Sequence, residues 1–125
     1  MALRFRTVKS RRKLIIEVFK RDGGRCGLCG LRVPNPKNQH RREIPDILRA
    51  TVDHIKPKCE GGTREKDNLR LAHALCNTLR GDCTTEQWAD RLHTKHYREH
   101  LVKIVKAVKE WTTNSSATSA AKRID

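Results

Sequence analysis

Thr51-Val52-Asp53-His54-Ile55-Lys56-Pro57 decides how the rest of this chain is read. It lies between two pairs of candidate metal ligands, Cys26-Gly27-Leu28-Cys29 upstream and His73-Ala74-Leu75-Cys76 downstream, and Asn77 follows the second pair directly. Ile47 to Val52 is a short, mostly apolar run, so a strand is expected to lead into Asp53-His54 and to end at Ile55-Lys56-Pro57. Gly61-Gly62-Thr63 turns the chain, and Asn68 to Ala72 alternates as a returning strand. Residues 73–80 read as a short helix with Gly81 as its stop.

The flanking pairs have the spacing of a structural zinc site. Thiolate and imidazole are the ligands zinc prefers, and two i, i+3 pairs supply the four that close a tetrahedron. His73 and Cys76 share one face near the start of the predicted helix. Glycines beside Cys26 and Cys29 allow a tight knuckle that aims both thiols at one point. Of the five cysteines, Cys59 and Cys83 are left over, and Cys59 is the substitute ligand should His73 not be one. An odd cysteine count, a Cys-x-x-Cys pair and no apolar secretory segment favour metal over disulfides.

A second site is expected beside the first. Asn77 is one residue beyond Cys76, so on a helix it projects about 100° away from the zinc face. Arg80 lies three residues further on and shares the face of Asn77, in place to meet a phosphate. Asp53 offers a hard oxygen ligand for a divalent cation, and His54 a general base. Neighbours on a regular strand point to opposite faces, so these two converge only where the strand bends or ends.

The bulk properties set the scale. A chain of 125 residues with 36% hydrophobic and 4% aromatic residues makes one domain with a thin core, the kind that recruits a metal. Its 28 Lys and Arg against 14 Asp and Glu give a formal net charge of +14, which favours polyanionic partners. No apolar run reaches the roughly 18 residues that span a bilayer, so the chain reads as soluble and intracellular. Residues 1–13 form a basic arm containing Arg11 and Arg12. A helix capped by Ser10 runs to about Arg21 on Leu14, Ile15, Val18 and Phe19. The core spans 14–83. Thr84 and Gln87 resemble a capping box that opens a helical extension over 84–112, with a break near Thr94. Its apolar positions Leu101, Ile104, Val105, Val108 and Trp111 suit core more than a partner, since a small hairpin needs cover. Residues 113–125 read as a disordered tail.

Taken in order, Cys26-x-x-Cys29, Val52-Asp53-His54-Ile55-x-Pro57, Gly61-Gly62, Asn68-Leu69 and His73-x-x-Cys76-Asn77-x-x-Arg80 resemble the HNH endonuclease family over roughly residues 12–83. Two positions depart from its usual pattern: His73 stands where a cysteine is common, and Asn77 where a histidine is. The resemblance implies an α+β fold, a small ββα-metal core with a zinc knuckle, flanked by an N-terminal helix and C-terminal helices. It implies DNA phosphodiester hydrolysis, by nicking or double-strand cleavage. His54 is then the general base, Asp53 and Asn77 hold a catalytic cation such as Mg²⁺, and Asn68 orients His54 through its backbone or ring. Lys56, Lys58, Arg11, Arg12 and Arg80 are the expected DNA contacts. Specificity is expected to be low or modest, because Lys and Arg excess predicts phosphate contacts, not base readout. A monomer or weak dimer in the cytoplasm of a bacterial or phage-infected cell fits this reading. Two alternatives stay open: a zinc ribbon that binds nucleic acid without cutting it, and a nuclease subunit of a phage DNA-packaging machine.

Overall fold

The strand expected to carry Asp53 and His54 is β1 (Ala50–His54), paired antiparallel with β2 (Leu69–His73) in a two-stranded sheet. These elements come from a computed structural model that describes residues 8–38 and 44–119, without the side chains of 8–10 and 114–119. The register runs from Ala50 opposite His73 to His54 opposite Leu69, with Asp53 facing Arg70. β1 begins three residues later than Ile47 because Pro45 starts a 3₁₀ turn over Asp46–Leu48, closed by a bond from Leu48 N–H to Pro45 O of 3.0 Å. That turn drives Leu48 fully into the core. β2 starts after Asn68, which belongs to a second 3₁₀ turn, Lys66–Asn68.

A two-stranded hairpin is marginal in water on its own, and helices cover this one. α1 (Val8–Arg21) and α2 (Ala74–Arg80) both pack on both strands. The end of α1 is stitched to β2: the Arg21 guanidinium donates to the carbonyls of Lys66 and Leu69, and the Asp22 carboxylate accepts from Leu71 N–H at 2.8 Å. This gives a partner to a backbone donor on a strand that has no third strand beside it among the described residues. The knuckle after α1 is tied to the same strand by Gly27 N–H to Leu71 O, 2.7 Å. Gly30 closes it at φ +81°, a conformation L side chains rarely adopt.

The C-terminal part follows the expected plan with two differences. The capping box of Thr84 and Gln87 is formed and starts α3 (Thr85–Arg91). The chain breaks at Leu92–Thr94, and α4 (Lys95–Ser119) begins with Thr94 Oγ1 accepting from Tyr97 N–H at 3.2 Å. α4 runs past the boundary expected at 112, as suits a stretch with no glycine or proline to stop it. Its buried stripe is His100, Ile104 and Ala107, with Val108 and Trp111 packed beside them, while Val105 turns outward. Val18, Leu48, Leu71 and Ile104 fill the centre of the core together with Cys26 and Cys76. The first seven residues of the basic arm and residues 120–125 of the expected tail lie outside the described residues. Among the described residues, no helix is long and apolar enough to cross a membrane.

Candidate metal centre and active-site cleft

The two ligand pairs meet. The ligand atoms of Cys26, Cys29, His73 and Cys76 all lie within 4.8 Å of one another, three of the residues being buried. The knuckle supplies the first pair, and the junction of β2 with α2 the second. His73 Nδ1 lies 3.3 Å from Cys29 Sγ and 3.8 Å from Cys76 Sγ, while its Nε2 is 2.7 Å from the Arg32 carbonyl. A carbonyl can only accept, so Nε2 carries a proton, and Nδ1 is the nitrogen that faces the thiols. This is how a ligating histidine is usually held by a second hydrogen bond. Cys59 is exposed and stands outside the cluster, and Cys83 is buried outside it, so the fourth ligand position belongs to His73.

The electrostatics of the four groups also suit a cation. Hydrogen bonds from Cys29 and then Cys76 push Cys26 far below the ordinary thiol range. Backbone N–H groups of Leu28, Cys29 and His73 point at its sulfur at 3.3, 3.4 and 3.5 Å. Burial opposes a charge on His73, but hydrogen bonding to Cys26 and Cys29 holds its imidazole up to about 9. Protons thus gather around a thiolate where a dication belongs. Three thiols and one imidazole in a closed, largely buried set fit structural zinc.

One contributor has no motif. His100 of α4 places Nε2 3.2 Å from Cys76 Sγ, and Tyr97, stacked on His100, donates its hydroxyl to Leu28 O at 3.2 Å. The helix that covers the core is thereby fastened to both halves of the clip. The only hint in the sequence was a histidine four residues before Ile104 on the buried stripe.

The opposite face of α2 serves a different place. Asn77 donates Nδ2 to Val52 O at 3.0 Å and to Thr51 Oγ1 at 3.1 Å, which locks the amide against β1. With the nitrogen committed there, Oδ1 is the atom its side chain can offer a cation. Asn77 lines a cleft of about 470 Å³ together with Asp53, His54, Lys58, Cys59 and Asp82. Asp53 and His54 reach the same cleft because β1 ends at His54 and the backbone turns away through Pro57. Burial, then Lys58, Arg64 and Arg80, lower the His54 pKa from its usual value, and Asp53 opposes them.

Arg80 sits differently from the expectation, and Asp53 and Asn68 have partners of their own. Arg80 is only 2% exposed, so it is not placed to meet a phosphate. Its Nη1 donates to Asp53 Oδ2 and to His54 O, both at 2.6 Å, and Nη2 to Ile55 O at 3.3 Å. The reason is the strand end: carbonyls released from the ladder at His54 and Ile55 need donors, and the guanidinium supplies them. Asp53 is itself buried, and its Oδ2 also accepts from Arg70 Nε at 3.0 Å. Oδ1 is therefore the oxygen it can present to a cation, and its donor set with Asn77, two hard oxygens, suits Mg²⁺ in kind. Asn68 touches neither nitrogen of the His54 ring. Its side chain accepts from Lys56 N–H and donates to the carbonyls of Lys56 and Thr63, bracing the loop two residues beyond His54. Gly62 completes that loop, since a Cβ there would fall 1.7 Å from Lys56 O.

Lys56 and Lys58 are exposed beside the cleft, and Arg11 and Arg12 are exposed on α1. Residues 26–82 match a family model described as HNH endonuclease. No curated protein and no solved structure matches the chain.

Proposed function

Residues 26–82 match the HNH endonuclease family model, and on that premise we propose that this chain is a metal-dependent endonuclease hydrolysing phosphodiester bonds of DNA. The observation that carries the reading is the cleft in which Asp53, His54 and Asn77 meet, on the side of α2 away from the zinc clip. Four ligands for a structural metal explain only a binding module. They leave a lowered histidine and two oxygen donors in one cleft without a task.

His54 takes the proton from the attacking water. Its Nε2 is buried with no hydrogen-bond partner among the described residues, so Nδ1 is the nitrogen left for that water. A ring kept neutral at pH 7 is ready to act as a base. Asp53 and Asn77 would hold the catalytic cation, the first through Oδ1 and the second through its amide oxygen. Arg70 and Arg80 fix the direction of the Asp53 carboxylate by holding its other oxygen. When bound, the cation neutralises charge building on a non-bridging phosphate oxygen and on the leaving oxygen. Asn68 and Gly62 keep the loop after His54 in the shape that leaves the cleft open. The zinc clip fixes α2, and with it the position of Asn77.

Supercoiled plasmid incubated with the zinc-loaded chain and Mg²⁺ tests this. Nicked or linear product, lost when the Mg²⁺ is chelated, is the expected result. A folded, zinc-loaded chain that shifts plasmid in a gel but never converts it, with Mg²⁺, Mn²⁺ or Ni²⁺, is instead a zinc ribbon that only binds.

A further inference from the structure

The basic residues divide into two groups once their partners are known. Arg21, Arg49, Arg70 and Arg80 are held by carboxylates, Lys66 by Glu17, and Arg91 by the Leu79 carbonyl. The side chains of Arg11, Lys58 and Arg64 have no ion pair or hydrogen bond among the described residues, and all three residues line one hollow of about 370 Å³. Its other walls are Leu14, Val52, His54 and Leu69. This hollow shares Val52, His54 and Lys58 with the active-site cleft, but Asp53 and Asn77 do not line it. His54 is thus a wall between a cleft that carries carboxylates and a hollow that carries cations and no carboxylate.

We propose that this hollow seats a phosphate of the DNA strand adjacent to the scissile one, held by Arg11, Lys58 and Arg64. The inference rests on the endonuclease reading and gives it a strand path: one phosphate in the cleft, the neighbouring one beyond His54. Uncompensated cations around a concavity are what a polyanion requires, and the aliphatic walls accept the sugar. The hollow offers no Asn, Gln, Asp or Glu for a base edge, and its two arginines stand around a concavity walled by aliphatic side chains. The seat therefore reads phosphate and not sequence. Arg11 comes from α1, outside residues 26–82, and Arg64 from the hairpin loop. The fold brings the two together across His54.

The experiment is duplex binding by the full-length, zinc-loaded chain with no Mg²⁺ added, over roughly 50 to 200 mM salt. Arg11→Gln and Arg64→Gln are each expected to weaken binding roughly tenfold. Each should also lower the salt slope by about one, equally for two unrelated sequences. Lys109→Gln, on α4 and lining neither hollow, should leave both quantities unchanged. Both arginines are exposed and unpartnered, so zinc content and folding should match the parent. With Mg²⁺, at a pH above the acidic limb of His54, their KM should rise while kcat holds. An unchanged salt slope in both arginine variants overturns the seat, as does a loss that depends on sequence or that Lys109→Gln reproduces. Cutting with an unchanged slope sinks the seat alone, whereas a lowered slope in a chain that never cuts sinks the nuclease reading alone.

Discussion

His54 stands in uneven company: burial presses its imidazole toward the neutral form, Lys58, Arg64 and Arg80 add to this, and Asp53 pulls the other way. The net effect is a pKa below the ordinary 6.5. A base must be unprotonated to work, so cleavage is expected to rise with pH along an acidic limb centred below 6.5, and to be flat above it. His54→Ala should abolish cleavage while leaving folding and duplex binding intact. Wild-type rates in that variant at saturating Mg²⁺, or an acidic limb well above 6.5, would remove the residue from its role. Arg80 makes a different kind of claim. Buried beside Asp53 and two free carbonyls, it is a brace, and breaking a buried pair from one side costs about 3 to 5 kcal/mol. Arg80→Gln should lose stability on that scale in urea unfolding. A loss no larger than that of an exposed arginine would show that the guanidinium braces nothing.

α2 has seven residues, too few to be helical without its surroundings. What holds it is the clip on one face and β1 on the other, and the adjacent residues Cys76 and Asn77 divide those duties. Asn77→Ala should keep the zinc and most of the thermal stability but lose most Mg²⁺-dependent cleavage. Cys76→Ala should lose zinc and fold together, with activity falling as a consequence. Zinc content and melting curves of the two variants, set beside their cleavage rates, decide it. If Asn77→Ala sheds zinc, the helix does not separate two sites. The division was readable in the spacing, because a step of one residue turns a helix by about 100°. The Arg80 role was not, because it depends on where β1 stops pairing.

At the scale of the molecule, the clip is part of the core: Cys26 and Cys76 are buried among Val18, Leu48, Leu71 and Ile104. α4 is bonded to that clip through His100 and Tyr97. Removing zinc should therefore unfold the domain cooperatively, α4 included, since metal binding in so small a core is folding free energy. A strong chelator followed by circular dichroism checks this. Retention of the full helical signal and a cooperative melt in metal-free protein would separate the clip from the fold. About one tightly held zinc per chain is the expected stoichiometry.

Features carried by near neighbours were legible in the chain itself. The i, i+3 ligand pairs, the turn at Gly61-Gly62, the Thr84 capping box and the Asp53-His54 strand end depend on spacing and local backbone preference, so residue order determined them. The +14 charge likewise favours a polyanionic partner. The start of β1 slipped because a 3₁₀ turn and an extended apolar run look alike until Leu48 finds its place in the core. Contacts between distant segments were decided only by tertiary packing: Asp22 on Leu71, His100 on Cys76, Arg80 under the end of β1, and Arg11 across from Arg64. A cation written in the sequence carries the same charge whether buried or exposed. Only the fold decides whether a carboxylate already holds it or whether it remains free for a phosphate.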